Sequence, residues 1–336
     1  MQLKFQKQEI MDKVCLTTFI YGKKYQQYIP FLIYSINKAM PSYDVVIFVS
    51  GTLDNEVMSI IEGLDSLHYT IKENSFSDCP KMTPLMSQCL RWLLWDESFN
   101  EYDFVYTVDS DILYIYEPTE LHKQHVQHMA TTGLIFDNMK RLYERRIFNH
   151  IETLRRIKYA GFKKIFRYFF GTKIEFRASG LHFVDAKKYY NALTPEKINI
   201  FKTELYTGKW LNKCMFPNDE VYLFYILDNL GLKPSNMPTQ SDSVNSLNFN
   251  KCSRPEFRPH HGIHLGIFRP QVNGYYNQSD LNILNSETYK YYVDILISDY
   301  LKDDAFLFLL RKAPQSIRDS FERMFDYYGI GKSFLL

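Results

Sequence analysis

Asp103-Phe104-Val105-Tyr106-Thr107-Val108-Asp109-Ser110-Asp111-Ile112-Leu113-Tyr114 is the stretch on which the fold turns. Every residue from 104 to 108 is apolar, aromatic or β-branched, the pattern of a strand covered on both faces. Asp109 and Asp111 follow at its carboxyl end, where open α/β sheets hold their ligands. If the extended backbone continues through them, side chains at i and i+2 leave on the same side. Two carboxylates so placed can share a hard divalent cation, which favours oxygen ligands and keeps positions for water and phosphate. The same Asp-Ser-Asp also reads as a polar turn closing a core strand, because these residue types favour turns.

The chain before this stretch alternates. Residues 14–20 (VCLTTFI) form a first strand, broken by Tyr21-Gly22, and a helix follows with Ile29, Phe31, Leu32, Ile36 and Ala39 on its apolar side. Residues 44–49 (DVVIFV) are a second buried strand, 54–63 an amphipathic helix, and 68–71 a short third strand. Residues 82–95 carry Leu85, Cys89, Trp92 and Leu93 at helical spacing. Strand and helix in alternation predict an α/β fold with a mostly parallel central sheet flanked by helices. Neither G-x-G-x-x-G nor G-x-x-x-x-G-K-[ST] occurs, so a dinucleotide or P-loop site has little support. Thr17, Thr18 and Tyr21, at the end of strand one, offer hydroxyls and a ring to a nucleoside.

After the carboxylates, residues 129–136 read as another strand. From Lys140 to Lys173 eleven Lys and Arg face two acidic residues, with apolar residues interleaved at helical spacing. A basic amphipathic segment suits a membrane surface or a solvated cationic face packed on the core. Residues 175–184 (EFRASGLHFV) return to strand character, with Ser179-Gly180 inside, and a strand glycine marks close approach of a ligand or backbone. Asp185 is a helix N-cap. Residues 197–212 form a helix, and Asn218-Asp219-Glu220 opens an apolar one that ends at Gly231. Residues 239–252 are a polar loop, 258–269 (RPHHGIHLGIFR) gather three of nine histidines, and the tail from 289 is helical and apolar.

Hydrophobic residues at 46% and charged residues at 23% describe an ordinary globular chain of 336 residues. Its 26 Tyr and 26 Phe suit sugar contact as well as core filling. Formal net charge is +2, so the basic segment leaves the rest acidic, and no nucleic-acid partner is expected. Five scattered cysteines without a C-x-x-C pair indicate neither a disulfide framework nor a zinc site. With no signal-peptide run and no window of membrane-span length, a cytoplasmic protein is expected, peripheral at the membrane if the basic segment binds there.

Taken in order, Thr17 to Tyr21, Arg91, Asp109-x-Asp111, Ala178-Ser179-Gly180-Leu181, Asn218-Asp219-Glu220 and His264-x-Gly266-x-x-Arg269-Pro270 resemble the metal-dependent GT-A-fold glycosyltransferases. The nearest group is the retaining one that includes glycogenin and bacterial lipopolysaccharide galactosyltransferases. That resemblance implies a GT-A, Rossmann-like domain over 1–284, with a nucleotide-binding half (1–116), a basic insert (137–173) and an acceptor half (174–284). A helical extension (285–336) would follow. It implies Mn²⁺ or Mg²⁺ on Asp109, Asp111 and His264, and a UDP-sugar donor contacted by Thr17, Thr18, Tyr21, Arg91, Ser110, Ser179, Gly180, Gly266 and Arg269. The family's late motif is His-x-x-Gly-x-x-Lys-Pro-Trp. Here one residue fewer separates His264 from Gly266, Arg269 replaces Lys and the Trp is missing, which leaves His260 and His261 open beside His264. The Asp219-Glu220 pair resembles that of blood-group-type retaining transferases, implying Glu220, then Asp219, as the carboxylate at the anomeric carbon. By itself the pair is also what a helix N-terminus favours.

The implied reaction is hexosyl transfer to a glycan or lipid-linked glycan acceptor in bacterial-type capsule or lipopolysaccharide synthesis, at a membrane reached through 140–173 and the apolar tail. Two rival classes are a sugar-binding subunit without turnover and a haloacid-dehalogenase-type phosphatase. The phosphatase pair normally follows the first strand, whereas three βα units come first here.

Overall fold

The computed structural model describes residues 12–64, 66–144, 174–214, 217–240, 261–269, 276, 278–331 and 334. A six-stranded sheet forms the centre, built from β1 (Val14–Ile20), β2 (Asp44–Val49), β3 (Thr70–Lys72), β4 (Phe104–Thr107), β6 (Phe136–Asp137) and β9 (His182–Asp185). The order is β3-β2-β1-β4-β9-β6; the first four run parallel, and β9 is antiparallel to both β4 and β6. Two small sheets stand beside it. β5 (Ile112–Tyr114) pairs antiparallel with β11 (Gly262–His264), while β7 (Lys140–Glu144) lies between β8 (Ile174–Ala178) and β10 (Thr239–Gln240).

β1 is buried along its whole length because both faces of the sheet are covered. Cys15 and Phe19 join Leu90, Trp92 and Tyr222 on one face, while Leu16 and Ile20 join Leu32, Ile33 and Ile36 on the other. Each such apolar side chain contributes about 1.5–3 kcal/mol by leaving water. The helix Ile29–Ala39 is buried nearly all round. Its Ile29, Leu32, Ile33 and Ile36 meet the sheet, and its Phe31 and Tyr34 meet a third layer made by the helices Glu287–Ser298, Asp304–Lys312 and Gln315–Tyr328. Tyr34 stacks on Phe306 with centroids 5.7 Å apart, and Phe31 meets the same ring edge-on at 6.3 Å.

The alternation, the buried strands and the capping residues agree with the sequence; several other expectations are corrected. The segment 103–114 is not one extended run, because the chain turns at Ser110-Asp111 and passes from the central sheet into β5. Residues 129–136 are not a strand: 129–132 are the last turn of the helix Leu121–Thr132, Gly133 caps it in the left-handed region, and only Phe136 and Asp137 are paired. The buried face of this helix includes His122, Gln124, His125 and His128, which an apolar periodicity does not count. Residues 175–184 divide at Ser179-Gly180 into β8 and β9, strands of different sheets. The helix expected over 197–212 is Pro195–Tyr206 followed by a short 3₁₀ turn, Trp210–Asn212. In the tail, Phe306, Leu309 and Leu310 are core residues, so its apolar run is not a membrane surface. Residues 145–173 of the basic segment lie outside the described residues, as do His260, Pro270 and Cys252. Among the described residues no helix is long and apolar enough to cross a membrane.

Candidate active site

A cavity of about 660 Å³ opens at the carboxyl ends of β1 and β4. It exists because the backbone beyond β4 is tied to β1: Val108 N–H donates to Thr17 O at 2.9 Å, and the Thr18 hydroxyl donates to Val108 O at 2.8 Å. Asp109, Ser110 and Asp111 thereby form one wall. Tyr21 forms part of another, its hydroxyl donating to Met82 O at 3.2 Å. Thr17 does not line the cavity; β1 continues to Ile20, so Thr17 is still inside the sheet and only 1% exposed.

The turn at Ser110-Asp111 sends the two aspartates to different partners. Asp109 is ion-paired with Nη1 of Arg91, whose Nη2 holds Asp219. Arg91 reaches both because it leaves the end of the helix Pro84–Leu90, and Trp92 beside it donates from Nε1 to Asp219 O at 3.0 Å. Burial would weaken the Arg91 charge, but the two carboxylates keep the guanidinium protonated. Asp111 meets residues from the far end of the chain. Its Oδ2 accepts from Nη2 of Arg269 at 2.6 Å and lies 3.3 Å from Nε2 of His264. The antiparallel register β5–β11 places His264 opposite Ile112, and Leu265 N–H donates to Asp111 O at 2.9 Å, which makes this meeting a backbone property. Burial alone would push the Asp111 carboxyl up, yet His264 and then Arg269 hold it below the usual carboxylate range; Asp111 reciprocally raises the His264 imidazole against its burial.

Gly266 closes this corner. A Cβ there would stand 2.6 Å from Asp111 Oδ2 and 2.7 Å from His264 Nε2, distances that real Cβ atoms essentially never show. A carboxylate oxygen and an imidazole nitrogen kept clear of side-chain carbon are a donor set that suits a divalent ion. Of the two described candidates, His264 stands at Asp111, while His261 turns instead to Glu117 and His125. Among the described residues no three acidic, His or Cys side chains stand close enough to enclose an ion, since Asp109 is held by Arg91.

Glu220 faces the cavity from the first turn of the helix Asp219–Asn229, which Asn218 caps by accepting from Val221 N–H at 2.8 Å. Its two oxygens accept from Arg141 on β7 at 2.8 Å and Arg177 on β8 at 2.7 Å. Gly180 leaves room for it, as a Cβ there would come within 3.3 Å of Glu220 Oε1. Ser179 is buried and braces that turn, its Oγ accepting from Met139 N–H at 3.0 Å and its carbonyl from Asn138 Nδ2 at 2.8 Å. No local pattern marks Arg141 or Arg177, because one sits in the basic segment and the other inside a strand. Their signal was available only in part: β8 presents Arg177 two residues before Ser179-Gly180. Arg269 rests against two rings, its guanidinium 5.5 Å from Tyr25 and 5.3 Å from Tyr28.

No protein-family model and no curated protein matches the chain. It is similar to solved structures. Against the galactosyltransferase LgtC in complex with donor and acceptor sugar analogs, identity is 14% and the TM-score 0.35, over 67% of this chain and 72% of that one. Against core-mannan synthase A (CmsA/Ktr4) from Aspergillus fumigatus in its Mn/GDP form, identity is 8% and the TM-score 0.37, over 65% and 70%. Against the mannosyltransferase Ktr4p from S. cerevisiae in complex with GDP, identity is 11% and the TM-score 0.36, over 84% of each chain.

Proposed function

We propose that this protein is a divalent-ion-dependent glycosyltransferase that moves a hexosyl group from a UDP-sugar to a glycan hydroxyl. The observation that carries the reading is the corner where Asp111 and His264, far apart in sequence, meet around Gly266. That corner lies at the carboxyl end of a parallel sheet, beside guanidiniums suited to phosphate.

Asp111 and His264 would hold Mn²⁺ or Mg²⁺, with Asp109 the third candidate ligand. The ion would supply Lewis-acid stabilisation of the charge that develops on the departing diphosphate. Arg91, in the cavity lining, and Arg269, bonded to Asp111, are the guanidiniums suited to a diphosphate. The walls at Thr18, Tyr21 and Ser110 would receive the nucleoside and its phosphates. Glu220 is the carboxylate for the anomeric carbon. With each oxygen held by an arginine it is fixed in orientation, and its charge favours a cationic, oxocarbenium-like centre as the bond from C1 to the diphosphate oxygen breaks. Asp219, held by Arg91, stands next to it. A retaining outcome follows the family resemblance.

The acceptor we propose is a lipid-linked or surface glycan. Of the two features that suggested a membrane-proximal acceptor the tail belongs to the core, which leaves the basic segment 140–173 as the support.

Differential scanning fluorimetry with UDP, GDP, CMP and dTDP, each with and without Mn²⁺, tests the donor class, because a ligand that binds only the native state raises its melting temperature. A shift with UDP that needs Mn²⁺ and disappears in Asp111→Ala is the expected result. No shift with any nucleotide would overturn the reading and favour a sugar-binding subunit. A response to Mg²⁺ with a phosphate analogue alone would favour a phosphatase.

A further inference from the structure

Behind the cavity wall lies a buried polar array that the reaction above does not use. His125 and His128, one helical turn apart on Leu121–Thr132, both turn Nδ1 to the carboxylate of Asp137 on β6. His125 Nε2 lies 3.1 Å from His261 Nε2, and His261 Nδ1 lies 3.1 Å from Glu117 Oε1. Glu117 also accepts from the Tyr292 hydroxyl at 2.5 Å and from Gln124 Nε2 at 2.7 Å. All seven side chains are buried, and His261 alone of them borders the cavity.

The contacts dictate where the protons go. An ionised carboxylate only accepts, so Nδ1 of His125 and Nδ1 of His261 both carry hydrogen. Burial by itself would raise the Glu117 carboxyl, but His261, Tyr292 and Gln124 hold it down at about 2, so it is the acceptor. The facing Nε2 atoms, 3.1 Å apart, close a continuous chain from Asp137 to Glu117 in which buried imidazoles and carboxylates satisfy one another.

Glu117 follows β5, and His261 immediately precedes β11. His261 has φ +60°, a left-handed backbone that residues other than glycine rarely adopt. Its carbonyl accepts from Ile115 N–H at 3.3 Å, the last rung before the pairs Gly262 with Tyr114, Ile263 with Leu113 and His264 with Ile112. The imidazole, bonded at both nitrogens, fixes where β11 begins. A slip of one residue there would move His264 to the other face.

We propose that this array positions the ion site: Glu117 and His125 hold His261, and His261 sets β11 on β5 in the register that brings His264 and Gly266 to Asp111. The inference rests on the reading of Asp111 and His264 as ion ligands. Such outer partners characteristically change metal affinity when altered.

Mn²⁺ binding to the full chain, followed by paramagnetic resonance of the free ion with and without UDP, tests it. The variants are Glu117→Gln, His261→Gly and, as control, Asp111→Asn. Wild type binds and the control does not. In Glu117→Gln and His261→Gly the dissociation constant for Mn²⁺ rises by about 10–100-fold, while circular dichroism stays native. Unchanged Mn²⁺ affinity in these variants, with only a lower melting temperature, would mean a purely structural array and overturn the proposal alone. No Asp111-dependent binding in the wild type would overturn the ion reading and the proposal with it. Should the variants not fold, ¹⁵N resonances of the wild-type imidazoles decide. A protonated Nδ1 on His261 is expected; a bare Nδ1 there would leave the ring unheld by Glu117 and overturn the proposal.

Discussion

Gly266 shows how a single missing carbon keeps a corner open. Only hydrogen fits between Asp111 Oδ2 and His264 Nε2, so the glycine is required by space and not by backbone conformation. Gly266→Ala is expected to remove the Mn²⁺-dependent gain in melting temperature with UDP. The fold itself should lose about 1–3 kcal/mol, the usual effect of overpacking. Fluorimetry with and without Mn²⁺ separates the two effects, and a variant that keeps the gain would show that the corner is not where the ion sits. The same crowding argument is milder at Gly180, where a Cβ would meet Glu220 at 3.3 Å. Asp109 and Asp111 illustrate a different lesson. Two residues apart in sequence, they serve different arginines because the backbone turns between them.

Among the elements, the helix Asp219–Asn229 presents the two carboxylates proposed to face the anomeric carbon. Its first turn carries Asp219 and Glu220, where the helix dipole favours negative charge, and Asn218 closes it. Asn218→Ala is expected to cost about 1 kcal/mol of stability, read from a urea transition, and Asn218→Ser to restore most of it. Equal losses in both variants would show that the cap hydrogen bond is not what matters there. The helix Leu121–Thr132 was illegible for the opposite reason. Its buried side is largely polar, with His122, Gln124, His125 and His128 bonded to Tyr43, Glu117 and Asp137 of other elements. The spacing His122-x-x-His125-x-x-His128 is the one sequence signal that would have marked that face.

Over the molecule as a whole, the C-terminal helices are a structural layer. Phe306 lies at the centre of an aromatic cluster with Phe31, Tyr34, Tyr300 and Phe321. Tyr300 donates to Tyr114 O at 2.7 Å and Tyr289 accepts from His264 N–H at 3.1 Å, so the layer also touches the strands β5 and β11 that bring the proposed ion ligands together. Phe306→Ala is expected to destabilise by about 3–5 kcal/mol, and thermal unfolding should move as one transition. A separate early transition would mean that the C-terminal helices fold on their own.

The order of strands and helices, the buried character of β1, β2 and β4, the Asp185 cap and the carboxylate pair Asp109 and Asp111 were legible in the chain from periodicity, turn chemistry and charge within a few neighbouring residues. His264, Arg269 and Glu220 were marked instead by the order of motifs that resembles the GT-A glycosyltransferases, not by any local pattern. What required the tertiary structure were the pairings: Asp109 with Arg91, Asp111 with His264, and Glu220 with two arginines from the small sheet. Those depend on β11 crossing onto β5 and on β8 leaving β9 for another sheet, contacts between segments far apart in sequence. Local sequence carries hydrophobic period and turn preference, but which distant charges share a buried corner is set by the register of strands that only the folded chain brings together.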